Sequence, residues 1–207
     1  MKILVTAGPT REPIDAVRFI SNASSGRMGY AVAAAAAGRG HDVDLVTGPT
    51  DLPLPDGTNV AKVLTALEMR DAVLERVSGA DVLVMTAAVS DWRFRESYPD
   101  KIEKSLEPFS VELVPNPDVI TEAIDKNPDM LAVAFALEIG MDAESALEKM
   151  RRKGADFVVL NSVESIGAPE ADFAVYSGPG DPVISGRYTK ENLAEALLSL
   201  VEEEKSP

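Results

Sequence analysis

"RFISNASSGRMGYAVAAAAAGRG", residues 18–40, runs a polar turn of serines and glycines straight into an alanine-packed stretch. Alanine loses no side-chain entropy on entering a helix, so the pattern predicts a helix over 28–38. Ser24 or Ser25 is expected to cap it. Gly26 and Gly29 would let backbone N–H groups approach an anion on the helix N-terminus, and Arg27 and Met28 open the first turn beside them. Taken alone, the same turn also reads as a plain helix cap.

Its neighbours give the turn a setting. Short β-rich apolar runs recur at 2–8, 42–48, 59–64, 81–89, 131–137 and 156–162, most of them separated by helical patterns over 28–38, 66–77 and 142–154. This alternation predicts an α/β fold, a Rossmann-like doubly wound and mostly parallel sheet. After residue 170 the stretch "DFAVYSGPGDPVISGRY" reads as a small additional β hairpin and "TKENLAEALLSLVEEEK" as a closing amphipathic helix. Residues 1–207 are expected to form one nucleotide-binding domain.

Two segments exceed a bare doubly wound sheet. The link from residue 8 to 24 is far longer than the about 2 to 6 residues usual between strand and helix. Residues 90–118 read as a charged flap, about 91–108, followed by an alternating strand. Long structured insertions at the carboxyl ends of strands are where such sheets bind ligands.

Composition bounds the chemistry. With no cysteine, the chain has no disulfide, thiolate metal site or cysteine nucleophile of its own. A net charge of −14 argues against nucleic acid as a partner, although converging lysines on an acidic protein can still hold a small anion. No run approaches the ~18 apolar residues of a membrane span, and "MKILVTAG" enters a strand pattern at once, so a soluble cytoplasmic protein is expected. The one histidine, His41, precedes the second strand at the amino end of the sheet, away from the expected site.

Within the insertions, "TAGPTREPIDAVRFISN" gathers Arg11, Glu12, Asp15, Arg18 and Asn22. Asn22 stands where its amide could both donate to an acyl carbonyl and accept from a nucleophile, or simply form a turn. Ala87 and Ala88 end the fourth strand with little bulk, open to a flat base or merely tight-packed, and Asp91 follows as an acceptor or cation ligand. Lys101 and Lys104 lie in the flap, where a mobile lysine could close on phosphates or be plain surface charge. Lys149 and Lys153, at i and i+4, also suit a helix C-terminus.

The blocks "TAGPTREPIDAVRFISNASSGRMGYAVA", "LVTGPT", "AAVSDWR", "DKIEK", "NPDVI", "VAFALE" and "KGADFVVLNSV", in this order, resemble phosphopantothenoylcysteine synthetase. In many bacteria that enzyme is the carboxyl-terminal half of a bifunctional coenzyme A biosynthesis protein. The resemblance implies ligation of 4′-phosphopantothenate with L-cysteine, with CTP and Mg²⁺, through an acyl-cytidylate, releasing pyrophosphate and CMP. It implies that Asn22 handles the acyl-cytidylate and that Lys101 is needed to form it. It assigns nucleotide contacts to Ser24, Ser25, Gly26, Arg27, Met28, Ala87, Ala88, Asp91, Lys101, Asn116, Pro117, Asp118, Val119, Phe135, Lys149 and Lys153. It also implies a homodimer, with segments about 109–114 and 171–188 as candidates for the contact.

The sequence departs from the usual family pattern at Glu103, Pro115 and Ser162, which leaves the choice between CTP and ATP open. An NAD(P)- or flavin-dependent oxidoreductase on the same sheet is the alternative from another class. Against it stand the glycine spacing, unlike G-x-G-x-x-G after the first strand, and a second strand ending Thr47, Gly48, Pro49 without a carboxylate for a ribose diol.

Overall fold

The computed structural model describes residues 1–206. The chain runs β1 (Lys2–Ala7), β2 (Arg11–Pro13), β3 (Phe19–Ser21), α1 (Arg27–Gly38), β4 (Asp42–Thr47), β5 (Thr58–Lys62), α2 (Ala66–Arg76), β6 (Val82–Met85), β7 (Trp92–Phe94) and β8 (Leu113–Pro115). It continues with α3 (Val119–Lys126), β9 (Leu131–Leu137), α4 (Ala143–Lys153), β10 (Phe157–Asn161), β11 (Glu170–Tyr176), β12 (Ile184–Thr189) and α5 (Lys190–Glu204).

Eight strands form one sheet in the order β12-β11-β10-β9-β6-β1-β4-β5. The six from β10 to β5 pair in parallel, while β11 and β12 add an antiparallel edge. The expected doubly wound, mostly parallel sheet is borne out. Successive residues of a strand face opposite sides, so β1 sends Ile3, Val5 and Ala7 into one apolar layer and Leu4 into the other. The first layer buries Val32, Ala33 and Ala36 of α1 and Leu193, Leu197 and Val201 of α5. Opposite, α2, α3 and α4 contribute Met69, Val73, Ile120, Ala123, Ala146 and Met150. The alanine run thus buys a close helix-to-sheet approach.

The chain leaves β1 first toward β4 and β5, then returns to build β6, β9 and β10 on its other side. This reversal opens a crevice beyond the carboxyl ends of β1 and β6, and both long insertions emerge there.

The insertions are more ordered than the sequence suggests. The first folds into the β2–β3 hairpin. In the second, the alternating strand expected over 109–114 reduces to β8, which pairs with β7. The fourth strand stops at Met85, and Ala88 bridges to Pro9 instead. Helix α3, unassigned from sequence, closes the second insertion. His41 sits at the amino end of β4, its Nε2 2.8 Å from Glu202. Among the described residues no helix is long and apolar enough to cross a membrane.

Candidate functional site

Helix α1 opens on Gly26, whose φ of 76° is left-handed. A Cβ there would lie 2.6 Å from Thr50 Cγ2, so both conformation and space select glycine. No side chain caps the helix, which corrects the expectation for Ser24 and Ser25. Ser24 Oγ instead accepts from Gly26 N at 3.3 Å, shaping the turn one step earlier. With no acidic residue in the first turn, the early amides and the positive end of the helix remain available to an anion.

Gly29 has a different duty from the one its spacing suggests. A Cβ there would stand 2.5 Å from both Ala7 Cβ and Thr86 Oγ1 and 2.8 Å from Thr6 O, so its bareness seats α1 on β1. Gly29→Ala is expected to lower stability by about 1–3 kcal/mol, read from the urea midpoint.

The first insertion holds the site's edge in place. Buried Glu12 accepts from Ala66 N at 2.9 Å, docking the loop on the first turn of α2. Arg11 lies over the Phe19 ring, 4.6 Å from its centroid. Asp15, also buried, accepts from Val17 N, Arg18 N, the Arg18 guanidinium and, at 3.1 Å, Ile102 N; Arg18 Nη2 in turn donates to Ile102 O at 3.0 Å. A carboxylate and a guanidinium thereby clasp the main chain of the flap on both sides of Ile102. The Arg18 guanidinium, chiefly, and the backbone donors hold the Asp15 carboxyl well below the usual carboxylate range against the opposing effect of burial. A depressed folded pKa means that the clasp's stabilisation is fully present above about pH 4 and fades as pH falls toward the lower folded value.

Asn22 follows β3 and turns Nδ2 toward Ala88 O at 3.3 Å and Val89 O at 3.1 Å. Two carbonyls can only accept, which fixes the amide orientation and leaves Oδ1 without a protein partner among the described residues. In this structure the donor side is committed to the chain, and Oδ1 is the atom left open. Ser21 Oγ, donating to Thr10 O at 2.7 Å, and Thr10 Oγ1, accepting from Ser90 N at 3.0 Å, bind the hairpin to the same segment after β6.

Two adjoining cavities lie over the sheet. One, about 540 Å³, is lined by Asn22, Ser24, Ser25, Gly26, Arg27 and Met28, by Ala87, Ala88, Asp91 and Phe135, and by Lys149 and Lys153. The other, about 280 Å³, takes Asn116, Pro117, Asp118 and Val119 and shares Ala87, Asp91, Phe135 and Lys153. Every residue to which the resemblance assigns a catalytic role or a nucleotide contact lines one or both, except Lys101. That lysine is exposed in the flap beside the clasped Ile102 and reaches neither cavity wall.

Lys149, Lys153 and Asn116 of the wall are held by identifiable partners. Lys149 pairs with Glu138, and Lys153 lies 3.0 Å from each Asp118 oxygen, tying the end of α4 to the start of α3. Asn116 donates to Ser90 O at 2.8 Å and accepts from Arg93 Nη1 at 3.3 Å, so its side chain locks the β7–β8 hairpin. Arg152, Asn161, Ser165 and Lys190 complete the larger wall, and none is picked out by the sequence reading. A lysine opening an amphipathic helix gives no signal of burial. Among the described residues no three His, Cys, Asp or Glu side chains gather as a metal cage.

Residues 1–204 match the model of the DNA/pantothenate metabolism flavoprotein C-terminal domain family. The chain belongs to this family. It is 43% identical over 167 residues to the coenzyme A biosynthesis bifunctional protein CoaBC of Escherichia coli (strain K12), covering 79% of this chain and 41% of that protein. With CoaBC of Mycobacterium tuberculosis (strain ATCC 25618 / H37Rv) it shares 47% identity over 184 residues, 83% of this chain and 44% of the relative. The chain thus spans less than half the length of these relatives. A crystal structure of the C-terminal domain of CoaBC superposes with a TM-score of 0.84 at 34% identity, covering 98% of this chain and 94% of the other. The family likeness carried by the sequence motifs is borne out, and in this member of the family most of them meet at one crevice, with "DKIEK" and "LVTGPT" outside its walls.

Proposed function

We propose that the chain is a phosphopantothenate–cysteine ligase of coenzyme A biosynthesis, using CTP to activate the acid. The observation that carries this reading is the uncapped N-terminus of α1 beside the free Oδ1 of Asn22, in one cavity with Phe135 and Lys153. A phosphate chain suits the helix end, and a flat base suits the small residues Ala87 and Ala88 and the Phe135 ring. The substrate carboxylate attacks the α-phosphorus; the bond to the β-bridging oxygen breaks, and pyrophosphate leaves. The cysteine amine then attacks the acyl carbon, CMP departs, and the nitrogen loses its proton to give the amide. Asn22 Oδ1 accepts a hydrogen bond from the incoming amine and so aims its lone pair at the acyl carbon. Asp91, which lines both cavities, would hold a Mg²⁺ ion bound with the triphosphate, and that ion would offset the phosphate charge. The setting is cytoplasmic, where such substrates are made.

The oxidoreductase alternative gains nothing from the site. A hairpin of this length before α1 removes the tight strand-to-helix turn on which a dinucleotide pyrophosphate rests.

The chain acts as a homodimer in this reading. Phe19, Trp92, Phe109 and Leu113, on and beside the two hairpins, stand exposed, and β12 leaves a free sheet edge with Val183 exposed before it. Protein incubated with CTP, Mg²⁺, 4′-phosphopantothenate and L-cysteine is expected to release pyrophosphate and CMP, faster than with ATP. If neither nucleotide is consumed, the reading is lost. Sedimentation of the same sample is expected to give a dimer.

A further inference from the structure

Lys190, the first residue of α5, is only 8% exposed. Its Nζ donates to Ser165 O at 3.2 Å and lies 4.5 Å from the centre of the Phe173 ring, both neutral partners. No carboxylate reaches salt-bridge distance among the described residues, and only exposed Glu191, next in the chain, favours its charge. Two things oppose that charge: burial, which pushes the ammonium's pKa down, and the positive end of the helix on which it sits. A buried cation so placed lacks an anion that the protein does not supply.

The cavity can supply one. Lys190 lines the larger cavity, on the β11 side, across β9 and β10 from Asn22. Helices α1 and α5 pack side by side; the start of α1 and Lys190 at the head of α5 both line this space, while the α5 N-terminus itself is capped by Thr189 Oγ1, which accepts from Asn192 N at 3.1 Å. Lys149 and Lys153 are occupied by Glu138 and Asp118, whereas Arg27, Arg152 and Lys190 face the same cavity with no carboxylate partner among the described residues. In a chain of net charge −14 that is a local concentration of uncompensated positive charge.

We propose that Lys190 is a phosphate-binding residue of this cavity, taking a phosphate group that arrives with a substrate. Resting on the ligase reading, the geometry points to the nucleotide: a phosphate chain begun at α1 runs on across the same cavity toward Lys190, which meets its terminal phosphates and then the departing pyrophosphate. The phosphate of the pantothenate substrate is the other source of the same chemistry.

Calorimetric titration of the full chain with pyrophosphate, CTP, CMP and 4′-phosphopantothenate, in wild type and Lys190→Met, separates these sources. The variant is expected to bind pyrophosphate and CTP roughly tenfold or more weakly, with CMP unchanged. Its ligand-free Tm should stay level or rise, because methionine fills the same space without a buried charge. Weakening of 4′-phosphopantothenate alone keeps the phosphate contact and assigns it to the acid. Unchanged affinity for all four ligands, or a lowered Tm with pyrophosphate binding intact, overturns the proposal. Lys190→Gln, more polar in the same pocket, provides the same comparison if the methionine variant does not fold. Failure of the ligase reading looks different: wild type binds pyrophosphate and Lys190→Met does not, yet no nucleotide is turned over.

Discussion

Lys101→Gln is expected to abolish pyrophosphate release, with a rate loss of about 10²-fold or more, while leaving the melting temperature where it was. Stability should not respond because the side chain is exposed and touches nothing that the variant would lose. Turnover should respond because, in the proposed reaction, negative charge gathers on the leaving pyrophosphate when the α-phosphorus changes partners. A lysine outside the cavity in the open protein adds its charge only when the flap folds inward, so its contribution falls on the transition state rather than on nucleotide affinity. Rapid-quench measurement of pyrophosphate in the first turnover reads this directly, with CTP affinity expected to stay near wild type. Turnover near wild type would move the role to Lys104.

Asn22→Asp is expected to part the two halves of the reaction. The carboxylate cannot donate to the Ala88 and Val89 carbonyls that now receive Nδ2, and it would face two oxygens of like polarity, so the side chain must leave its seat. Activation does not depend on that seat, because the phosphate chain is met by α1 and the flap. Amide formation does, because the amine loses the acceptor that aims it. The expected result is one equivalent of pyrophosphate per site, retention of the acyl-cytidylate, and a steady-state CMP release lower by about 10²-fold. Isolation of the intermediate from quenched enzyme checks this. A variant that makes the amide at the normal rate, or that releases no pyrophosphate, removes Asn22 from the second step.

The sheet was legible because its evidence is local. "LAVAFAL" is apolar at every position and "KILVTA" at Ile3, Leu4, Val5 and Ala7, as suits strands covered on both faces. α3 escaped notice because eight residues between "NPD" and "NPDM" give too few turns to show a period, and its fit against α2 is a tertiary fact. The serine cap failed for the converse reason. Ser24 and Ser25 are the right chemistry one and two positions early, and the left-handed Gly26 takes the cap itself. The cavity wall divides in the same way. Its α1 end is written in one continuous stretch, whereas Lys190 becomes a wall residue only because Ser165 and Phe173, from other elements, cover it.

The clasp pins the flap at Ile102, directly beside the lysine that supplies charge in the proposed reaction. Lys101 stands one residue from the fixed point, so a closing flap would carry its charge through a short arc. Leu106, 99% exposed, lies farther from the pinned residue, where the same closure would sweep a wider path. Such a closure would give precision to the residue at the root of the flap and reach to the residues at its tip.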